Sequence, residues 1–232
     1  MERFKLSPCG RWMGLVGTGR KGGGEVNVVD AGTGQWVCEA RVEGKGGVAD
    51  FAWWGGGKGV VVVGKGGEVV EYEISGRRVV ARWIDEGAVG ITVVAVGGRR
   101  VDGDGEGEGE LGGDRWVAMG STAGIVNLYE RGQWRDGDAV PKRPKPVKVF
   151  DQLTTPISHL MFSPDGQVLC MSSRWKRDAL RLVHLPSCVV YRNWPTSATP
   201  MGRISAVAWG VNSEMLAVGN EQGKVRLWEI RG

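Results

Sequence analysis

The protein has 232 residues, 41% of them hydrophobic, with 40 glycines and eleven tryptophans, which excludes a disordered linker and suits one large folded domain or two small ones. Its net charge of +4 permits an anionic partner without requiring one. Because no apolar run approaches the length of a membrane span, we expect a soluble protein with no membrane partner.

In chain order, short apolar runs are separated by breaks that contain Gly, Asn or Ser. The first unit reads "FKLSPCG", "RWMGLVG", "EVNVVD" and "QWVCEAR", and the second reads "ADFAWW", "GVVVVG", "GEVVEYEI" and "RRVVARWID". The third contains "ITVVAVG", "RWVAMGS", "GIVNLYER" and "KPVKVFD", and the fourth "ISHLMFSPDG", "QVLCMSSR", "DALRLVHL" and "SCVVYRNW". The last unit has three runs, "RISAVAWG", "EMLAVGN" and "GKVRLWEI". Runs of this length with these breaks predict an all-β fold.

The units repeat at a spacing that suggests a propeller. The third runs align at Val29, Tyr72, Tyr129, Val183 and Trp228, with spacings of 43, 57, 54 and 45 residues. A four-stranded propeller blade takes about 40–45 residues. The five blades then cover approximately residues 1–46, 47–88, 89–154, 155–200 and 201–232 of one domain. The two longer spacings contain insertions at 99–114 and 132–144, which we predict to be disordered surface loops because they offer little to bury.

The stretch "GVVVVGKGG" at residues 59–67 has the G-x-x-x-x-G-K spacing of a phosphate-binding loop. However, Val60 to Val63 are β-branched, and Gly66 stands where such a loop needs Ser or Thr for Mg²⁺. The next run is strand-like, whereas a phosphate loop leads into a helix N-terminus. We therefore interpret "GVVVVG" as the second strand of its unit and "KGG" as a turn, and predict no nucleotide cofactor.

Several short motifs resemble those of WD40 propellers. "LWE" (227–229) and "LYE" (128–130) resemble the strand that ends in Trp-Asp, "FSPDG" (162–166) resembles the first turn of a blade, and "LSPCG" (6–10) is a weaker copy. No Gly-His dipeptide occurs, so the His–Ser/Thr–Asp–Trp network of typical blades is missing, and we expect packing to hold the blades together. The resemblance implies a WD40-type β-propeller with five blades visible out of the usual seven.

The C-terminal half carries a narrower resemblance. "SRWKRDALRLVHLPSC", "YRNWPTSATP", "AVAWG" and "MLAVGNEQGKVRLWEI" are similar to the C-terminal propeller of the U3 small nucleolar RNA-associated protein 18 family, over about residues 150–231. That family consists of WD40 subunits of the small-subunit processome. The resemblance implies a scaffold in nucleolar pre-rRNA processing and 40S ribosome assembly. It also implies a nuclear, nucleolar location, with other WD40 subunits and pre-rRNA or U3 small nucleolar RNA as neighbours.

Groups suited to catalysis or metal binding are sparse. His159 and His184 lie in strand-like runs, and neither has a partner at catalytic or metal-ligand spacing. The four cysteines (Cys9, Cys38, Cys170 and Cys188) form no C-x-x-C pair, and the acidic run at 102–110 lacks the spacing of a calcium loop. We expect no enzyme, no metal and no small-molecule substrate. The alternatives are a WD40 scaffold of another complex and a propeller enzyme with polar groups converging on the central channel.

Two basic segments are the candidate contact sites. They contain Lys142, Arg143, Lys145 and Lys148 in "KRPKPVK", and Arg174, Trp175, Lys176 and Arg177 in "SRWKRD". Cations beside an exposed aromatic ring are suited to RNA phosphates and bases. The same residues also suit a solubilising loop or a contact to an acidic protein. The sequence leaves RNA and protein open as partners.

The ends of the repeat array predict an open arc. A propeller ring closes when its last blade takes a strand from the other end of the chain. Here the last unit has three strands and only Met1, Glu2 and Arg3 precede the first strand. We therefore expect about two further blades upstream in the parent chain, or partner proteins that cover the open ends.

Overall fold

The structure, a computed structural model, describes residues 4–18, 23–44, 46–87, 90–99, 114–134, 140–185, 187–196 and 198–230. These residues form nineteen strands in five antiparallel sheets, each made of strands that follow one another in the chain. Apart from its two ends, the first predicted insertion (99–114) lies outside the described residues. No helix in the described ranges is long and apolar enough to cross a membrane.

The strands have the following bounds. The first sheet contains β1 (Phe4–Leu6), β2 (Trp12–Thr18), β3 (Gly24–Asp30) and β4 (Trp36–Val42). The second contains β5 (Val48–Trp53), β6 (Gly59–Gly64), β7 (Glu68–Glu73) and β8 (Arg78–Ile84). The third contains β9 (Ile91–Arg99), β10 (Asp114–Ser121), β11 (Val126–Glu130) and β12 (Lys148–Phe150). The fourth contains β13 (His159–Phe162), β14 (Val168–Ser172), β15 (Leu180–His184) and β16 (Val189–Val190), and the fifth contains β17 (Ile204–Trp209), β18 (Met215–Asn220) and β19 (Val225–Glu229).

Apolar clusters lie between each pair of successive sheets, so the three middle sheets are buried on both faces. Strand β6 shows how the sequence produces this arrangement, because side chains alternate between the two faces of a strand. Val60 and Val62 pack in the cluster between the first and second sheets. Val61 and Val63 pack in the next cluster, between the second and third sheets. An uninterrupted valine run is therefore what a strand buried on both faces requires.

The turn after β6 confirms that this stretch is a strand and a turn. The Gly67 amide donates to the Gly64 carbonyl oxygen at 3.1 Å. Gly67 has a φ of +94°, in the left-handed region that a glycine adopts without steric cost. Strand β7 then pairs with β6, with Val62 opposite Val70. The chain therefore continues into a β-hairpin where a phosphate-binding loop would start a helix.

The predicted equivalence of the third strands is confirmed. Tyr72, Tyr129, Val183 and Trp228 each pack into the cluster between their own sheet and the preceding one. The array of four four-stranded sheets and a final three-stranded sheet also matches the prediction. The protein is thus an all-β protein of the WD40 propeller type.

The first strands of successive sheets lie side by side and are linked by side-chain hydrogen bonds. The Trp53 indole N–H donates to the Lys5 carbonyl oxygen at 3.1 Å, and the Val94 amide donates to the Asp50 carboxylate at 3.1 Å. The Thr92 hydroxyl donates at 2.6 Å to the carbonyl oxygen of Ile157, which lies two residues before β13. These bonds connect each sheet to the next and fix the relative position of the two sheets.

Part of the second predicted insertion has packed structure, so the expectation of disorder is wrong there. Residues Arg131–Trp134 form a 3-10 helix, and the Trp134 ring lies 5.2 Å from the Trp83 ring. Val140 packs against the apolar cluster between the second and third sheets, and Pro144 is buried. The apolar edge formed by Trp83 and Tyr129 gives these residues a surface to cover. Residues 135–139 lie outside the described residues.

The first and fifth sheets each expose apolar side chains on the face that points away from the neighbouring sheet described above. On the first sheet these are Phe4, Leu6 and Leu15, and on the fifth they are Met215, Val225 and Leu227. Contiguous apolar surface of this kind marks a contact site. It agrees with the expectation that further blades or partner proteins cover these faces, which stays a prediction.

Candidate interaction surface

The β14–β15 loop presents the second predicted basic segment to solvent. Arg174, Trp175, Lys176 and Arg177 are all exposed, and the Trp175 side chain is 64% exposed. The Arg174 guanidinium lies 5.9 Å from the centroid of the Trp175 ring, within the range of a cation–π contact. The Arg174 amide donates to the Ser158 hydroxyl at 2.9 Å, which attaches the start of the loop to its own sheet.

Asp178 attaches the end of this loop to the connection between the fourth and fifth sheets. Its carboxylate accepts hydrogen bonds from the Met201 and Gly202 amides, both at 2.7 Å. Its own amide donates to the Gly202 carbonyl oxygen at 2.8 Å, and its φ is +57°. Asp is among the few non-glycine residues that tolerate the left-handed region. The loop is therefore held at both ends, with its aromatic and basic side chains facing solvent.

The other predicted basic segment lies at a different place, against the edge of the second sheet. The Ile84 amide donates to the Lys142 carbonyl oxygen at 2.9 Å, and Arg143 forms an ion pair with Glu86 at 2.6 Å. Lys145 is exposed, and Lys148 is an exposed residue of β12. The structure therefore does not combine the two basic segments into one site, and a carboxylate already neutralises part of this one.

Sequence reasoning missed a buried ionic cluster between the second and third sheets. The Arg131 guanidinium forms an ion pair with Glu71, and both side chains are buried. The Trp83 indole N–H also donates to Glu71, at 3.3 Å. Asp114 lies 3.9 Å from the guanidinium and accepts a hydrogen bond from the Gly55 amide at 2.7 Å. No local pattern indicates this cluster, because its members come from four separate segments.

A second buried polar cluster adds specific hydrogen bonds to the packing between the second and third sheets. The Asp85 carboxylate accepts hydrogen bonds from the Asn127 amide group at 2.9 Å and from the Tyr129 hydroxyl at 2.8 Å. Burial and the neighbouring carboxylate raise the pKa of Tyr129, so the hydroxyl stays protonated and donates. Tyr129 aligns with the Trp of the Trp-Asp motif, and this alignment was the one sequence signal that pointed to the cluster.

The two histidines take part in hydrogen bonds within the fold. The His159 Nε2–H donates to the Ser205 carbonyl oxygen at 3.0 Å, since a carbonyl can only accept, and Nδ1 then accepts from the Ser158 hydroxyl at 2.9 Å. Burial lowers the pKa of His159. His184 pairs with the Ser187 hydroxyl at 2.8 Å. Within the described ranges, no group of three or more His, Cys, Asp or Glu side chains is placed to hold a metal ion.

Comparison with known proteins gives relatives that share one name. The chain is 44% identical over 216 residues to U3 small nucleolar RNA-associated protein 18 of Saccharomyces cerevisiae, an alignment that covers 89% of this chain and 35% of that protein. The chain is homologous to this protein. It is 38% identical over 230 residues to the probable protein 18 of Schizosaccharomyces pombe, covering 99% of this chain and 40% of the relative. No protein-family model matches the chain.

The similarity extends beyond the C-terminal segment that carried the resemblance in the sequence. The Homo sapiens homolog of U3 small nucleolar RNA-associated protein 18 is 26% identical over 231 residues, covering 99% of this chain and 37% of the human protein. All five sheets therefore fall inside the matched region. The chain spans well under half the length of these curated relatives.

Proposed function

We propose that the protein is a non-catalytic WD40 scaffold subunit of the small-subunit processome. In this role it acts in nucleolar pre-rRNA processing and 40S ribosome assembly. The observation that carries the proposal is the similarity over nearly the whole chain to proteins named for their association with U3 small nucleolar RNA. The proposed partners are other WD40 subunits of the processome and pre-rRNA or U3 small nucleolar RNA, and the proposed location is the nucleolus.

The geometry supports a scaffold more than a catalyst. The charged groups inside the protein, such as Glu71, Arg131 and Asp85, are bound to one another or to neighbouring donors across the sheet boundaries. Both histidines are engaged with serine groups of the fold. The side chains that remain available to a partner lie in exposed loops and on the outer faces of the first and fifth sheets, where a macromolecule can dock.

A chimera in Saccharomyces cerevisiae tests the proposal. The region of the yeast relative that matches this chain is replaced by residues 1–232, and the chimera is the sole copy in the cell. We expect growth, a nucleolar signal and co-purification of U3 small nucleolar RNA. The matched control carries the corresponding region of the Schizosaccharomyces pombe relative, which is similarly distant. A chimera that accumulates in soluble form but does not co-purify U3 RNA would contradict the proposal.

A further inference from the structure

Three loops from the fourth and fifth sheets converge at one edge of the molecule. The β14–β15 loop is bound to the β16–β17 connection through Asp178, as described above. The Asn220 amide group donates to the Met201 carbonyl oxygen at 2.9 Å, and the Glu221 amide donates to the Arg203 carbonyl oxygen at 3.0 Å. These bonds attach the β18–β19 loop to the same connection, so the three loops form one surface.

This surface, which we call the basic edge, carries cations from all three loops. Its members are Arg174, Trp175, Lys176, Arg177, Arg203 and Lys224, all of them exposed. In the part of the chain that the structure describes, none of the five cations forms an ion pair. The acids of the three loops are Asp178, whose carboxylate already accepts two backbone hydrogen bonds, and Glu221. The surface therefore keeps a net positive charge.

We infer that the basic edge binds single-stranded RNA, with a base stacked on the Trp175 ring and phosphates held by the surrounding cations. Stacking needs an accessible aromatic face, and Trp175 is 64% exposed beside three cations in its own loop. The phosphates of a single strand can follow cations spread along three loops. Because Ser158 and Asp178 hold the loop at both ends, less ordering is required on binding.

The chemistry of this surface favours RNA over an acidic protein segment. Carboxylates would satisfy the cations but would leave the Trp175 ring without a planar partner. The other basic segment is less suited to either ligand, because Arg143 is already paired with Glu86 and no exposed aromatic residue lies within "KRPKPVK". The basic edge is also larger than the segment that sequence reasoning identified, since Arg203 and Lys224 are distant from it in the chain.

The inference deepens the proposed function by naming the surface that binds RNA, one of its proposed partners, and it is tested separately from processome membership. Direct binding is measured with the purified protein and a fluorescein-labelled short oligouridine, by anisotropy over a series of salt concentrations. Failure here would leave processome membership, which the chimera tests, untouched. Conversely, RNA binding at this edge would hold even if the protein worked in another complex.

The decisive variant is Trp175→Ala. We expect it to weaken oligouridine binding by roughly 5- to 150-fold, as for other bases stacked on an aromatic side chain, and Trp175→Phe to restore part of the affinity. The combined variant Arg174→Ala, Lys176→Ala, Arg177→Ala should lower the slope of log affinity against log salt by about 2, at roughly 0.7 per lost phosphate contact.

Two control variants make the same kinds of substitution at positions outside the basic edge. Trp36→Ala removes a tryptophan that is 59% exposed on the first sheet, and Lys142→Ala, Arg143→Ala, Lys145→Ala removes three cations of the other segment. Both should bind oligouridine nearly as the parent protein does. Unchanged affinity in Trp175→Ala would overturn the inference. An equal loss in the second control, or equally tight Trp175-independent binding of polyglutamate, would also overturn it.

Discussion

The boundary between the second and third sheets differs in side-chain composition from the boundary between the fourth and fifth sheets. The first contains the buried ions Glu71 and Arg131 and the Asp85 cluster in addition to apolar side chains. The second is an apolar cluster that includes Leu180 and Leu216, with polar contacts at its edge. The comparison shows that neighbouring sheets of the same repeated type can be held together in two ways, by buried ion pairs or by the packing of apolar side chains.

The charged boundary is sensitive to the loss of a single partner. Removing two ions from water has a large desolvation cost, which mutual attraction offsets only when both partners are present. Arg131 also lies 5.6 Å from the Trp54 ring centroid and donates to the Asp114 carbonyl oxygen at 3.3 Å. The apolar boundary is formed by packed aliphatic and aromatic side chains, so its sensitivity is to the loss of packed volume.

The largest effect is expected from Arg131→Ala. The change leaves Glu71 buried without its cation, and we expect a loss of about 3–5 kcal/mol in the free energy of unfolding. Urea unfolding followed by tryptophan fluorescence measures it. The matched control replaces both partners with apolar residues, Glu71→Leu with Arg131→Met, and should lose less than the single variant. A double variant that is less stable than Arg131→Ala would show that the ions contribute net stability.

The apolar boundary is tested by two leucines of the fifth sheet. Leu216 is fully buried against the fourth sheet, and Leu216→Ala should lower the free energy of unfolding by about 2–5 kcal/mol. Leu227 is 64% exposed on the outer face, and Leu227→Ala should change the free energy of unfolding by less than about 0.5 kcal/mol. Urea unfolding followed by tryptophan fluorescence compares the two variants. Equal losses at the two positions would mean that another molecule covers the outer face in solution.

A smaller effect is expected from Tyr129→Phe. The change removes one of the hydrogen bonds to the buried Asp85 carboxylate, while the Asn127 amide group still donates to it. We expect a loss of about 1.5–3 kcal/mol, the range for a hydrogen bond to a charged group. Tyr72→Phe is the control, since it removes the equivalent hydroxyl of the preceding sheet. The prediction fails if the two variants are equally stable.

Strands and their order could be predicted from the sequence because each depends on local information. The repeated apolar runs and the glycine-rich turns between them place β6 and its neighbours, and the continuous valine run already contains the two buried faces. The ionic cluster could not be predicted, because Glu71, Arg131 and Asp114 meet only after two sheets have packed. The basic segment around Trp175 could be predicted because its residues are adjacent in the sequence. Arg203 and Lys224 could not be assigned to the same surface, because they join it only when the loops of the fourth and fifth sheets come together in the fold.

The smallest effect concerns pH and a histidine at the apolar boundary. Burial and the nearby Arg174 cation lower the pKa of His159 from 6.5, although its bond to the Ser205 carbonyl oxygen opposes the shift. The folded protein therefore binds fewer protons than the unfolded chain in the interval below pH 6.5, and the free energy of unfolding should fall as the pH is lowered through it. Urea midpoints measured between pH 7.5 and about 5.5 test this expectation. His159→Gln should flatten the dependence, and His184→Gln, which removes the other histidine of the chain, should keep it. A pH dependence that survives in His159→Gln would assign the proton uptake to another group and contradict this prediction.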